Sequence, residues 1–131
     1  YLSCAIKQNT DFGAINKLFE NIKETNLFVY SQNQAICGVM DWITEDAIIE
    51  LTAAPKKNLP LKSLRQSLFY YHLVSRQLQL TIENLVVFNP RFGIINHTEV
   101  KNISNELLQK IAHKLDSLDQ FASVSLSDRL K

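Results

Sequence analysis

Residues 34–57 of this chain, Gln-Ala-Ile-Cys-Gly-Val-Met-Asp-Trp-Ile-Thr-Glu-Asp-Ala-Ile-Ile-Glu-Leu-Thr-Ala-Ala-Pro-Lys-Lys, constrain its fold more than any other stretch. They read as two apolar strands joined by a tight acidic turn, the signal of a β-hairpin. With Glu45 and Asp46 as the turn residues, Thr44 lies opposite Ala47, and counting back puts Asp41 opposite Glu50. Directly opposed residues have Cβ atoms about 4.5–5.5 Å apart, and like charges there destabilise the pair. Two carboxylates held that way within apolar strands require a reason, and a divalent cation between them is the most economical one. The competing assignment is an Asp and a Glu that simply flank a strand end in water.

The 131 residues suit one domain with a single good core. A hydrophobic fraction of 46% with 21% charged residues is that of a soluble globular protein. The net charge of +1 predicts no strong field, so any nucleic-acid contact would come from a local patch. No apolar run approaches the roughly 20 residues that a membrane span requires. A chain that begins at Tyr1 reads as a domain of a longer polypeptide, intracellular rather than secreted, with a targeting segment left open. Two cysteines, Cys4 and Cys37, are too few for a disulfide scaffold or a four-cysteine metal site and are expected as reduced core residues.

Around the hairpin, the pattern predicts a helix over 11–24, with Phe12, Ile15, Leu18, Phe19 and Ile22 in one stripe. A short strand, 27–30, follows, then the polar turn Ser31-Gln32-Asn33 and a strand over 34–43. Residues 55–60 form a connection, and Pro60 suits the first turn of a helix over about 60–79. On that helix Arg65, His72, Arg76 and Gln79 fall on the solvent face, and Leu64, Leu68, Tyr71, Val74 and Leu78 on the buried side. Lys62, Gln66 and Tyr70, spaced i, i+4, i+8, form a polar ridge off the solvent stripe, which needs a partner. The bland alternative makes them a solvated lysine, a satisfied amide and a packed ring.

Residues 82–88 read as a strand covered on both faces, followed by a turn at Asn89–Gly93 and a returning strand at 94–96. Ser104 can cap a last helix over 104–118, with Leu107, Leu108, Ile111, Leu115 and Leu118 buried; 119–131 either extends it or forms another helix. The first three strands make an antiparallel meander, and the 60–79 helix crosses over to a strand parallel to its predecessor. The class is α/β, a sandwich with a mixed central sheet flanked by helices.

Gly38-Val39-Met40-Asp41, the acidic turn and Ile48-Ile49-Glu50-Leu51-Thr52 resemble the core of the PD-(D/E)XK nuclease superfamily, in which an Asp ends one strand and Glu-x-Lys lies on the next. Gln66-x-x-x-Tyr70 resembles a second motif, that of the RecB-like branch. The likeness spans about residues 11–118, with one departure: Thr52 stands where the family has its lysine. It implies a restriction-endonuclease-like fold and metal-dependent hydrolysis of phosphodiester bonds, in DNA rather than RNA, within a larger replication or repair protein. It also implies that Asp41, Glu50 and the Leu51 carbonyl hold Mg²⁺ or Mn²⁺, with Gln66 and Tyr70 overlooking them from the helix. The iron–sulfur cluster of some RecB-like nucleases cannot be supplied by two cysteines.

Thr52 repeats the face of Glu50 and can hydrogen-bond, but it supplies no cation. Lys62, one turn before Gln66, is the candidate replacement, with Lys56 and Lys57 less well placed. Displaced lysines of this kind occur in the cap-snatching endonucleases of segmented RNA viruses, so an RNA endonuclease is one alternative. A catalytically inactive DNA-binding or structural module is the other. Glu20 falls off its helix's apolar stripe and suits solvent better than a ligand role. His72, His97 and His113 share no spacing, and Arg65, Arg76, Arg91 and Lys101 read as scattered, solvated charges.

Overall fold

The structure, a computed structural model, describes residues 6–9, 16–17, 19–55 and 61–130. Six strands form one mixed sheet: β1 (Ile6–Asn9), β2 (Glu24–Tyr30), β3 (Cys37–Ile43), β4 (Ala47–Leu51), β5 (Asn84–Asn89) and β6 (Ile94–Glu99). Helix α1 (Leu61–Gln77) links β4 to β5, and α2 (Asn105–Leu130) closes the described chain. The strands lie in the order β1-β6-β5-β4-β3-β2. β2, β3 and β4 form the expected antiparallel meander, and β4 and β5 run parallel across the α1 crossover.

β4 sits in the middle because its side chains are apolar on both faces. Ile48 packs with Met40, Leu68, Val74 and Leu85 in the core beneath α1. Ile49, one residue on, packs with Val86, Phe88 and Ile95 on the opposite face. Trp42 and Ile22 cover that second cluster, and Phe19 lays its ring edge-on against Trp42 and Phe88. α1 rests on β2, β4 and β5, and α2 packs on α1. Burial of these two clusters, at roughly 25 cal/mol per Å² of apolar surface, is the main force holding the sheet between its layers.

Several boundaries differ from the sequence reading. Residues 16–17 and 19–20 are helical, but β2 begins at Glu24, so Ile22 lies past the helix end and contributes to the sheet's second core instead. Phe12, Ile15, Leu18, Pro60, Lys56, Lys57 and Cys4 lie outside the described residues. β1 was not anticipated: Ile-Lys-Gln-Asn has no apolar alternation, and it is an edge strand recruited by pairing with β6. Cys37 is exposed rather than in the core.

On α1, Arg65 and Arg76 are exposed as expected, whereas His72 is half-buried; Leu78 is exposed because the helix ends at Gln77. Gln79 takes a left-handed φ of 54° just beyond it. On α2, the Ser104 hydroxyl accepts from Leu107 N–H at 3.2 Å, the expected cap. Residues from 119 onward continue the same helix to Leu130. Its buried stripe runs from Leu115 to Asp119 rather than to Leu118, which is 43% exposed. A carboxylate thus takes a core position four residues beyond Leu115, and its partners explain why.

Candidate metal centre

The hairpin turn falls where the sequence puts it. Trp42 pairs with Ile49 and Ile43 with Ile48, and Thr44 N–H donates to the Ala47 carbonyl at 2.9 Å. Continuing that register by one residue sets Asp41 opposite Glu50. The ladder between the strands ends there: Leu51 N–H donates not to β3 backbone but to Asp41 Oδ2, at 2.9 Å. The carboxylate therefore stands in for a carbonyl at the point where β3 and β4 part.

Both acids lie on the α1 side of the sheet. Glu50 alternates with Ile49, which faces the opposite core, and Asp41 is two residues from Ile43, which packs beneath α1. β3 also changes its alternation at this point. Met40 packs in the same cluster as Ile43 despite the odd spacing. The pair Asn26 and Asp41 is missing from the β2–β3 ladder, and Asn26 has a φ of 53°, in the left-handed region that asparagine tolerates. Asp41 thus sits at a break in both of its strand's ladders, half-buried and open to solvent on one side.

Glu50 is only 5% exposed, and its Oε1 has no hydrogen-bond partner among the described residues. A buried carboxylate oxygen without a partner is costly as an anion. Burial first, and then the facing Asp41 carboxylate, push the Glu50 carboxyl up to about 8, against the opposing effect of a hydrogen bond from the Asp41 backbone. A hard divalent cation would relieve the same strain by charge pairing. The donor set fits such an ion: two facing carboxylates, one holding an orphaned buried oxygen. Among the described residues no three His, Cys, Asp or Glu side chains converge so as to hold a metal ion. Carbonyl, water and substrate oxygens would therefore have to complete the coordination shell.

The helix motif comes to the same place. Tyr70 is buried, donates its hydroxyl to the Val39 carbonyl at 3.1 Å and accepts from Gln66 Nε2 at 3.2 Å. Burial, opposed in part by the Gln66 hydrogen bond, and then the charges of Glu50 and Asp41 raise the phenol above its ordinary value. Gly38 makes this approach feasible: a Cβ there would lie 2.7 Å from the Tyr70 hydroxyl. The ridge is graded, however, and not uniformly off the solvent face. Lys62 and Gln66 are exposed and only Tyr70 is buried, while Leu64 and Ser67 form the buried side of the same turns. Gln66 turns its amide back to Tyr70 even so.

The remaining expected site residues are less engaged. Leu51 ends β4, 37% exposed, next to Glu50. Thr52 is half-buried; its N–H continues the parallel pairing to the Phe88 carbonyl at 2.9 Å, and its hydroxyl accepts from Ala54 N–H at 3.3 Å. Lys62 makes no ion pair among the described residues. Glu20 is exposed on a helical segment that packs, through Phe19, on the opposite face of the sheet from the acids. Arg76 is paired with Asp116, 2.5 Å away, and Lys101 with Glu99, 3.2 Å away.

Two participants escaped the sequence reading. Gln77, at the end of α1, accepts from Tyr30 N–H at 2.9 Å and donates to the Phe28 carbonyl at 3.2 Å, occupying the open edge of β2. Asp119 of α2, 3% exposed, binds the β2–β3 turn. It accepts from the Ser31 hydroxyl, from Asn33 N–H at 2.9 Å and from Ala35 N–H at 3.2 Å. An acidic residue at an i+4 core position was the one signal available for it. No protein-family model and no curated protein matches this chain. No helix among the described residues is long and apolar enough to cross a membrane.

Proposed function

We propose that this chain is a restriction-endonuclease-like domain of the PD-(D/E)XK kind that hydrolyses phosphodiester bonds in nucleic acid, DNA before RNA, with Mg²⁺ or Mn²⁺. The observation that carries the reading is the unpartnered, buried Oε1 of Glu50 facing Asp41 where β3 and β4 separate. Asp41, Glu50 and the Leu51 carbonyl would hold the ion. Bound there, it supplies a Lewis acid to the phosphate and lowers the pKa of an attacking water.

The chain's own residues do the rest. Leu51 N–H fixes the orientation of the Asp41 carboxylate. Tyr70, whose proton is held more tightly than usual, acts as a fixed donor to the Val39 carbonyl rather than as a base. Gln66, exposed on α1, holds its amide on the Tyr70 hydroxyl and keeps a second N–H suited to a phosphate oxygen. Lys62, exposed one turn earlier on the same helix, is the candidate for the missing cation, a charge on a flexible stem.

A second reading, a nuclease-like domain that binds without cutting, is favoured by one feature: the Thr52 hydroxyl is turned to the Ala54 amide. Cleavage assays on single-stranded DNA, duplex DNA and RNA with Mn²⁺ separate the two. Cutting lost in Asp41→Asn supports the nuclease reading, and Lys62→Ala then tests the displaced cation. Mn²⁺ binding without cutting of any substrate supports the second reading. Cleavage gained on Thr52→Lys would assign that inactivity to position 52.

A further inference from the structure

The segment of β3 that leads into Asp41 is not held by the rest of the sheet. Residues 37–40 pair only with β2, since pairing to β4 begins at Trp42. The paired stretches 27–30 and 37–40 therefore form a two-stranded ribbon that branches from the sheet at Asn26 and Asp41, where both ladders are interrupted. Such a ribbon has little stability of its own. Its placement relative to β4, and so the approach of Asp41 to Glu50, has to come from side chains outside the sheet.

Apolar packing of Val29 and Met40 under Leu68, Leu73 and Val74 seats the ribbon on α1, and three polar attachments among the described residues fix its register. Tyr70 holds the ribbon's middle at Val39, and Gln77 holds its outer edge at Phe28 and Tyr30. The third is at the tip. Asp119 takes the Ser31 hydroxyl and the Asn33 and Ala35 N–H groups, while Ser31 Oγ accepts from Ile36 N–H at 3.0 Å. This one buried carboxylate, on a helix that packs on α1, takes hydrogen bonds from three residues of the turn between Ser31 and Ile36. Charge-assisted hydrogen bonds to a buried carboxylate are strong and directional, which suits a fixed anchor.

We propose that Asp119 is a positioning residue for the acid pair: by clamping the ribbon tip to α2, it sets how Asp41 meets Glu50 across the hinge. Its consequence for cation affinity rests on the metal-centre reading above; its consequence for Asp41 does not.

The test uses Asp119→Asn and, where that variant folds poorly, the milder Ser31→Ala, with Asp116→Asn as a control on the same helix. In metal-free protein, hydrogen exchange is followed at Leu51 N–H, the proton that Asp41 accepts, and at Val86 N–H in the second core. The proposal expects Leu51 to exchange about tenfold faster or more in the Asp119 or Ser31 variant, while Val86 keeps its wild-type rate and Asp116→Asn changes neither. Mn²⁺ affinity should weaken by about tenfold in the same variants, the scale on which outer positioning groups act. Equal acceleration at Leu51 and Val86 would mean that Asp119 serves global stability alone, and would overturn the proposal. Unchanged exchange at Leu51 would overturn it too. A selective Leu51 response in a protein that binds no Mn²⁺ upholds the positioning role and rejects the metal centre.

Discussion

Tyr70 and Val39 are joined by a 3.1 Å hydrogen bond from the phenol to the carbonyl, two residues ahead of Asp41. That contact ties the long crossover helix to the strand bearing the first acid. It depends on Gly38, whose missing side chain leaves room for the ring.

Gly38→Ala should destabilise the domain by about 1–3 kcal/mol, because the added methyl meets the Tyr70 hydroxyl and ring. Tyr70→Phe should cost about 1 kcal/mol through the lost bond to Val39. The double variant should lose less than the sum, since removing the hydroxyl relieves the closest clash. Urea unfolding of the four proteins provides the cycle.

Stability should fall as pH rises from about 4.5 to about 8 in chelator, because of Glu50. In that window the unfolded chain has released the Glu50 proton while the folded chain retains it, so the unfolded state binds fewer protons. Above about 8 both states are ionised and this contribution is flat. Glu50→Gln should remove the decline, and its gain over wild type should be larger near pH 9 than near pH 5, read by urea midpoints.

Asp119 acts with the opposite sign. The Ser31, Asn33 and Ala35 donors hold its carboxyl below the usual carboxylate range despite burial. The stability it gives is complete above its unfolded value of about 3.8 and is lost as pH falls through the lower folded value. Asp119→Ala should cost about 2–4 kcal/mol near neutral pH, by leaving the buried Ser31 hydroxyl and the part-buried Asn33 and Ala35 N–H groups without their acceptor, and should flatten the acid limb of a stability–pH curve.

Gln77→Ala should expose the outer edge of β2 at Phe28 and Tyr30, beside the exposed Phe28, Tyr30 and Val39 side chains. An unguarded edge of that kind favours strand-to-strand association. Sedimentation should show self-association that rises with concentration in the variant and exceeds that of the wild type.

The parts of the fold legible in the sequence were those written in local patterns. The acidic turn at Glu45-Asp46 and the apolar residues flanking it fixed the hairpin register, so the juxtaposition of Asp41 and Glu50 could be counted out. The i, i+4 spacing of Gln66 and Tyr70 likewise anticipated their contact. What escaped was set by distant partners. Ile6–Asn9 becomes a strand only through β6. Asp119 reads as a solvated helix residue until Ser31, 88 positions away, is placed beside it. The switch of faces at Met40 and Asp41 falls opposite the left-handed backbone of Asn26, which no hydrophobic pattern encodes. Lys62 and Gln66, placed by their spacing on a ridge off the solvent stripe, are exposed, while Leu64 and Ser67 of the same turns are the buried side.

The central claim is that Asp41 and Glu50 together bind a divalent cation, and calorimetric titration of Mn²⁺ near pH 8 tests it most directly, with the thermal midpoint as a second readout. A ligand bound only by the folded state at about a hundred times its Kd should stabilise it by about 2.7 kcal/mol. The account predicts one saturable Mn²⁺ site per chain in the wild type, abolished by Asp41→Asn and by Glu50→Gln, both of which stay folded. Absence of binding in the wild type, or binding that survives either substitution, would contradict it.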